Sequence, residues 1–385
     1  MHRKINAILI PVMIAALLAA FILLPSKDFS ERENRYLAPL PKLSLGTVTD
    51  GSFMEDIADY VSDHFPLRDF WIGVNTRVSL LRGKTLVNGV YFAADDYLIE
   101  KYEPSGNMTK IAGVINKFAG SVDAKVTFMA VPTSVVINQS RLPQGAEGDA
   151  RLQEAELREL YETLSCYTVE LKDVLEERNT QAGVFYRLDH HWTNAGALAA
   201  YREYCKLLRP VCDLPSYDFR EVSDSFRGTL FNKVGECGLG YDTITSVKLS
   251  PALLETITCR TGDGADIPLF DESKLGTADQ YAYFLSGNHP FLVITNEAAA
   301  DVVYEISGDE GMEIADLPDI LIIKDSYANC MIPLMLGDYH SITVIDPRYY
   351  GDSISAYVNE NGIDEVLFVY NMNTLGTDLG IRRVK

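Results

Sequence analysis

The sequence predicts an α/β fold built on a mainly parallel central sheet. Two observations carry that prediction. Short, mainly apolar runs recur at 126–131, 320–323, 342–345 and 366–370, without the alternation of a half-exposed strand. Stretches of helical period separate several of them, as crossovers between parallel strands require. The chain has 385 residues, 47% hydrophobic and 23% charged, which is enough apolar material for a large core.

From the N-terminus, Arg3 and Lys4 precede an apolar run from Ala7 to Leu24. As a helix this run is about 27 Å long, close to the thickness of a bilayer core. It exceeds the usual apolar region of a cleaved signal peptide, which is about 7–15 residues. Residues 1–26 are therefore read as a signal anchor, with a cleaved signal peptide as the alternative. Basic residues lie before the run and Asp28, Glu31 and Glu33 after it, so the rest of the chain is expected outside the cytoplasm.

Residues 27–75 read as a proline-containing linker followed by a helical segment, with helix over 51–82 interrupted at Phe65-Pro66. The remaining 76–385 read as the main α/β domain. Asn88-Gly89 marks a hairpin within 84–100. A helix is expected over 108–119, a strand over 126–131, a long helical stretch over 151–178, a short strand over 184–186 and a helix from Thr193 or Asn194 to about Leu208. Residues 215–300 are glycine-rich with short Thr/Ile/Val runs, and are expected to form an irregular β-rich insertion. The alternation then resumes, with 328–336 helical and Pro333 kinking or ending it.

The formal net charge of −20, with no basic block, excludes nucleic acid as an expected partner. Six cysteines permit up to three disulfides, and no CxxC spacing suggests a zinc ribbon or thioredoxin-type motif.

Chemistry concentrates in Leu188-Asp189-His190-His191-Trp192-Thr193, which holds two of six histidines and one of two tryptophans. Carboxylate plus imidazole is two thirds of a serine-activating triad. The third member is Ser326, in Lys324-Asp325-Ser326-Tyr327, at the turn between the 320–323 strand and an expected helix. Such a turn projects a side chain where ligands of open α/β sheets bind, and the helix start offers backbone N–H groups to an oxyanion. Ser326 as a plain helix cap is the competing reading. Asp189 and His191 are two residues apart, so a direct bond between them needs a curved backbone. His190 and Trp192 are read as supporting residues. Asp189, His190 and His191 as a metal site is a further alternative, disfavoured because three adjacent ligands are strained; no metal or cofactor is expected.

These motifs carry a resemblance. Asp-His-His-Trp, Lys-Asp-Ser-Tyr, Ser30-Glu31-Arg32-Glu33-Asn34-Arg35-Tyr36-Leu37 and Asp63-His64-Phe65-Pro66-Leu67-Arg68-Asp69 resemble the bacterial DHHW proteins. Those are similar to the periplasmic alginate O-acetyltransferase proteins of the SGNH hydrolase-like superfamily. The resemblance implies a three-layer α/β/α fold, with Asp189 and His191 matching the acetyltransferases' Asp and His and Ser326 their G-D-S serine. Lys324 stands where the acetyltransferases have glycine, and His190 fills a variable position.

The resemblance further implies oxyanion donors from the serine N–H, a glycine N–H and an asparagine. Gly287 and Asn288 are candidates, with a plain Gly-Asn turn as the alternative. Arg348 is a candidate for holding an acyl or sugar oxygen, and Tyr327 for lining the site. The implied activity is serine-dependent transfer of an acetyl or similar group to a cell-surface or exopolysaccharide glycan, or its hydrolysis. A membrane-bound O-acyltransferase is the implied partner, handing on the acyl donor. A non-catalytic carbohydrate-binding or assembly protein on the same fold is the alternative.

Overall fold

The structure, a computed structural model, describes residues 2–23, 25–30, 35–208, 217–297 and 317–384, without the side chains of residues 2–10, 29 and 35. Glu31 to Asn34 of the charged N-terminal motif and Cys212 lie outside the described residues. The chain forms two compact units, one of Met1–Asn88 with Phe231–Leu239, the other of Gly89–Leu230 with Gly240–Lys385.

In the first unit residues 7–23 of the apolar run lie in one helix, His2–Leu23, and Leu24 lies outside the described residues. Among the described residues no helix is long and apolar enough to cross a membrane. Further along, the expected helical segment is two helices, Ser52–His64 and Arg68–Leu81. Pro66 has no N–H and forces Phe65 into extended backbone, which ends the first helix. The Asp63–Asp69 motif is the corner itself: Asp63 Oδ2 accepts from Ala38 N at 2.9 Å, and the two ring nitrogens of His64 reach the carbonyls of Tyr60 and Lys27.

The second unit is the α/β domain. Its seven-stranded sheet comprises β1 (Lys125–Val131), β2 (Tyr167–Thr168), β3 (Ile257–Thr261), β4 (Phe291–Asn296), β5 (Asp319–Lys324), β6 (Ser341–Ile345) and β7 (Glu365–Asn371). Their order is β3-β4-β6-β5-β7-β1-β2. Strands β6, β5, β7, β1 and β2 run parallel, while β4 is antiparallel to both β3 and β6. The sheet is thus mixed, with a parallel core. Strands β1, β5, β6 and β7 are buried along almost their whole length, which is why they read as unbroken apolar runs.

Helix Met108–Ala119 turns an apolar face of Ile111, Ala112, Ile115 and Phe118 inward; Phe118 meets Phe368 of β7 edge to face. Helix Asn194–Leu208 starts directly after the Asp-His-His-Trp motif.

Four elements differ from the sequence expectation. The 151–178 stretch is two helices, Glu147–Thr163 and Lys172–Asn179, with β2 between them. Asn116, on the neighbouring helix, stops the first by donating to Thr163 O and accepting from Ser165 N. Residues 184–186 form no strand of the sheet but one bridge, Phe185 to Trp192, closing a tight loop. Of the expected insertion, only the bulged hairpin Phe219–Phe226 with Asp242–Val247 stands apart, because β3 and β4 extend the main sheet. Residues 328–336 lie in two short 3₁₀ segments, Ser326–Cys330 and Ile332–Leu334, with Pro333 in the first turn of the second. The turn at Ser326 therefore carries little helix dipole.

Candidate active site

The two distant motifs meet at the carboxyl end of the sheet. Strand β5 ends at Lys324, and Asp325 opens the next turn. The Asp325 carboxylate accepts from Tyr327 N at 2.9 Å through one oxygen. Through the other it accepts from Asn371 N and Nδ2 at 2.8 and 2.6 Å. Asp325 is fully buried, which pushes its pKa up to about 6 against the pull of Arg348. This aspartate is the clamp that shapes the turn, and it leaves Ser326 half-buried with its hydroxyl free for another partner.

That partner is His191. Its Nε2 lies 2.7 Å from Ser326 Oγ, and its Nδ1 lies 2.5 Å from Asp189 Oδ1. The curved backbone that this requires comes from the loop closed by Tyr186 N to His191 O and Thr193 N to Val184 O. Asp189 Oδ1 also accepts from His191 N at 2.9 Å, and Oδ2 from Thr229 N at 2.7 Å. Gly228 makes room for this. A Cβ there would lie 2.1 Å from Asp189 Oδ2, so no other residue fits without displacing the carboxylate.

Burial alone would raise the Asp189 pKa, but the charges of His191 and His190 and the hydrogen bonds from His191 hold it well below the usual carboxylate range. Burial lowers His191 to about 4, with His190 acting the same way and Asp189 opposing. At neutral pH the pair is therefore a carboxylate beside a neutral imidazole. With Asp189 accepting at Nδ1, the ring proton sits there and Nε2 is free to accept.

His191 is held between two rings. Tyr281 stacks on it at 3.8 Å and 12°, and His190 lies 3.9 Å away on a 35° tilt. Trp192 donates from Nε1 to Tyr327 O at 2.8 Å, and the Tyr327 hydroxyl donates to His190 O. These bonds tie the loop carrying His191 to the turn carrying Ser326. Asp189, His190 and His191 present three donor atoms within 4.8 Å of one another. Yet both ring nitrogens of His191 and Asp189 Oδ1 are already paired inside the protein.

The remaining expected residues divide. Gly287 has its N–H committed to Phe284 O at 3.1 Å, so it is not a spare donor. The exposed Asn288 bonds both sides of the turn that carries Ser326, its Oδ1 accepting from Lys324 Nζ at 2.8 Å and Asn329 Nδ2 at 3.2 Å. Arg348 lies on the neighbouring strand end but is gripped by Asp346 through Nε and Nη2 at 2.8 and 2.6 Å. Cys166, Cys259 and Cys330 are free thiols, and burial pushes them up to about 11, 12 and 12, so none is poised as a nucleophile. Sequence reasoning missed Tyr281, Gly228, Thr229 and Asn371, none of which belongs to a motif.

A family model described as an SGNH hydrolase-like domain, acetyltransferase AlgX, matches residues 92–240. No curated protein matches the chain. Among solved structures, a DHHW family protein from Eubacterium siraeum DSM 15702 superposes with a TM-score of 0.60 at 23% identity, covering 78% of this chain and 96% of that one. Bacillus cereus PatB1 superposes with a TM-score of 0.58 at 16% identity, covering 76% and 98%; the same protein with a sulfonyl adduct gives 0.56 at 16%, covering 77% and 98%. The chain is thus similar in sequence to the AlgX-type SGNH hydrolase-like domain, and in fold to DHHW proteins.

Proposed function

We propose that this chain is a serine-dependent O-acyltransferase or esterase acting on an acetylated or acetyl-accepting glycan outside the cytoplasm. One observation carries the reading: Ser326, His191 and Asp189 form a continuous hydrogen-bonded relay across 135 residues of sequence. Neutral His191 takes the Ser326 proton at Nε2 as Oγ attacks the acyl carbonyl. Asp189 stabilises the imidazolium that forms. The carbonyl oxygen becomes an oxyanion, received by Ser326 N–H and the Asn288 amide. The tetrahedral adduct collapses to acyl-serine as the leaving oxygen takes the proton from His191. A glycan hydroxyl or water, deprotonated by His191, then attacks the acyl-serine and regenerates Ser326. Transfer and hydrolysis share these steps and differ in whether the site keeps water out.

The match to an AlgX acetyltransferase domain supports an acetyl group, and the resemblance of the motifs to the alginate O-acetyltransferase proteins supports a glycan. The apolar run from Ala7 to Leu24 of the sequence, with Arg3 and Lys4 before it, supports membrane association with the α/β unit outside the cytoplasm, and the resemblance to the acetyltransferases supports a membrane-bound O-acyltransferase as supplier of the acyl group.

The test uses the full-length protein and 4-nitrophenyl acetate. A burst of nitrophenol is expected, with an acetyl group mapped by mass spectrometry to the peptide holding Ser326. Ser326→Ala abolishes both. Undiminished turnover in that variant refutes the reading, and glycan binding without any acyl-serine favours a carbohydrate-binding protein instead.

A further inference from the structure

Lys324 is a buried cation that the acyl-transfer steps do not use. It is 1% exposed, and its ammonium bonds two neutral amide oxygens, Asn288 Oδ1 at 2.8 Å and Asn329 Oδ1 at 2.7 Å. Asp346 and Asp325 act on it only through space. A lysine held this way costs desolvation without a contacting counter-ion, which a surface of neutral residues would avoid.

A second, independent observation lies on the other side of the contact. Leu285, Ser286 and Gly287 have φ of 57°, 56° and 101°, three consecutive residues in the left-handed region, two of them not glycine. Such a run persists only where its surroundings hold it. From behind, Leu269 O accepts from Leu285 N at 2.9 Å and Pro268 O from Ser286 Oγ at 3.1 Å. From the site, the hold is Lys324 on Asn288, with Asn329 Nδ2 reaching Asn288 Oδ1 and Gly287 O.

We propose that Lys324 is a positioning residue for the oxyanion site, locking the strained 285–288 loop onto the nucleophile turn and orienting the Asn288 amide. The chemistry is one of donors and acceptors. An ammonium has only donors, so Asn288 must present its oxygen to Lys324 and its NH₂ away from it. Asn329 is fixed by the same rule, and its own NH₂ points back to the loop. Lys324 and Asn329 flank Ser326 in the chain, and the Asn288 amide bonds both. The Asn288 NH₂ is then left with its protons for a developing oxyanion, and the nearby ammonium adds favourable charge. The lysine replaces, in this chain, the glycine of the G-D-S pattern.

This inference rests on the acyl-transfer reading above, and its test separates the two. Full-length wild type, Lys324→Met, Asn288→Ala and the double variant are compared with 4-nitrophenyl acetate, with Ser326→Ala as the reference for lost chemistry. Each single variant is expected to lose about 100-fold in kcat, the loss of one oxyanion donor, with KM little changed. The double variant is expected to be no slower than the slower single, because both changes remove the same interaction. Lys324→Gln keeps a donor and is expected to recover part of the loss, which a packing role would not give.

Wild-type kcat in Lys324→Met, or losses that multiply in the double variant, overturn the lysine's role while an inert Ser326→Ala leaves acyl transfer standing. Turnover surviving in Ser326→Ala removes the reading beneath it. Where Lys324→Met does not fold, Lys324→Gln enters the cycle, and a kcat loss that disappears in the Asn288→Ala background supports the role, while an independent loss overturns it.

Discussion

Replacing Asp189 by asparagine changes one atom and should stop turnover. Asp189 accepts three hydrogen bonds: Oδ1 from His191 N at 2.9 Å and from Nδ1 at 2.5 Å, Oδ2 from Thr229 N at 2.7 Å. A carboxamide has one acceptor oxygen and one donor NH₂. If the NH₂ faces His191, it opposes the His191 backbone N–H, and the imidazole must move its proton to Nε2 to accept at Nδ1. Nε2–H then confronts Ser326 Oγ as a donor and takes no proton from it. If the NH₂ instead faces Thr229, two donors oppose each other at a fully buried site, costing about 1–3 kcal/mol of stability. In both cases the anion that would stabilise the imidazolium is gone. The expected loss in kcat is about 10⁴-fold, or about 5.4 kcal/mol in the barrier. Steady-state hydrolysis of 4-nitrophenyl acetate measures it, with thermal unfolding confirming a folded variant. Asp189→Asn within tenfold of wild type, beside an inert Ser326→Ala, would refute the argument that Asp189 sets the tautomer of His191.

The remaining predictions concern the same carboxylate and imidazole. Gly228→Ala places a methyl 2.1 Å from Asp189 Oδ2 and 2.3 Å from its Cβ. It is expected to lower stability by about 1–3 kcal/mol and kcat at least tenfold, read by calorimetry and the ester assay; unchanged values in both would mean the loop yields freely. The acid limb of kcat/KM is expected near pH 4, not near the ordinary histidine value, because burial lowers His191 to about 4 and only the neutral ring accepts a proton. Between that value and the unfolded one of about 6.5, the unfolded chain binds a proton that folded His191 excludes. The contribution of His191 to stability therefore shrinks as pH falls through that window. His190→Phe removes a repelling neighbour and should move the limb upward, as a pH–rate profile would show.

The elements most legible in the sequence were those whose residues meet one uniform environment. Strands β1, β5, β6 and β7 are mainly apolar in their interiors because both their faces are covered, and Met108–Ala119 carries a clear helical face. Boundaries set by a distant side chain were not legible. Asn116 ends the helix at Thr163, and nothing near Thr163 announces it. Strands β3 and β4 looked like parts of an insertion because exposed or half-buried residues alternate with buried ones toward the edge of the sheet.

The site divides along the same line. Asp189, His191 and Ser326 stood out by residue type and by their positions beside expected strand ends, and they also carried the resemblance to the DHHW proteins. Their meeting is a property of the fold: β5 delivers Ser326 at the carboxyl end of the sheet, and the loop closed by Phe185 and Trp192 curls His191 back to within 2.7 Å of it. Tyr281 on the imidazole face, Gly228 beneath the carboxylate and Asn371 on the Asp325 clamp come from segments without any motif. Sequence alone determined which groups have the chemistry to move a proton and to take an acyl group, since that follows from residue type. Tertiary structure decided which nitrogen accepts, which N–H groups are already spent and which lysine is buried, because hydrogen-bond partners and solvent exposure exist only once distant segments are packed together.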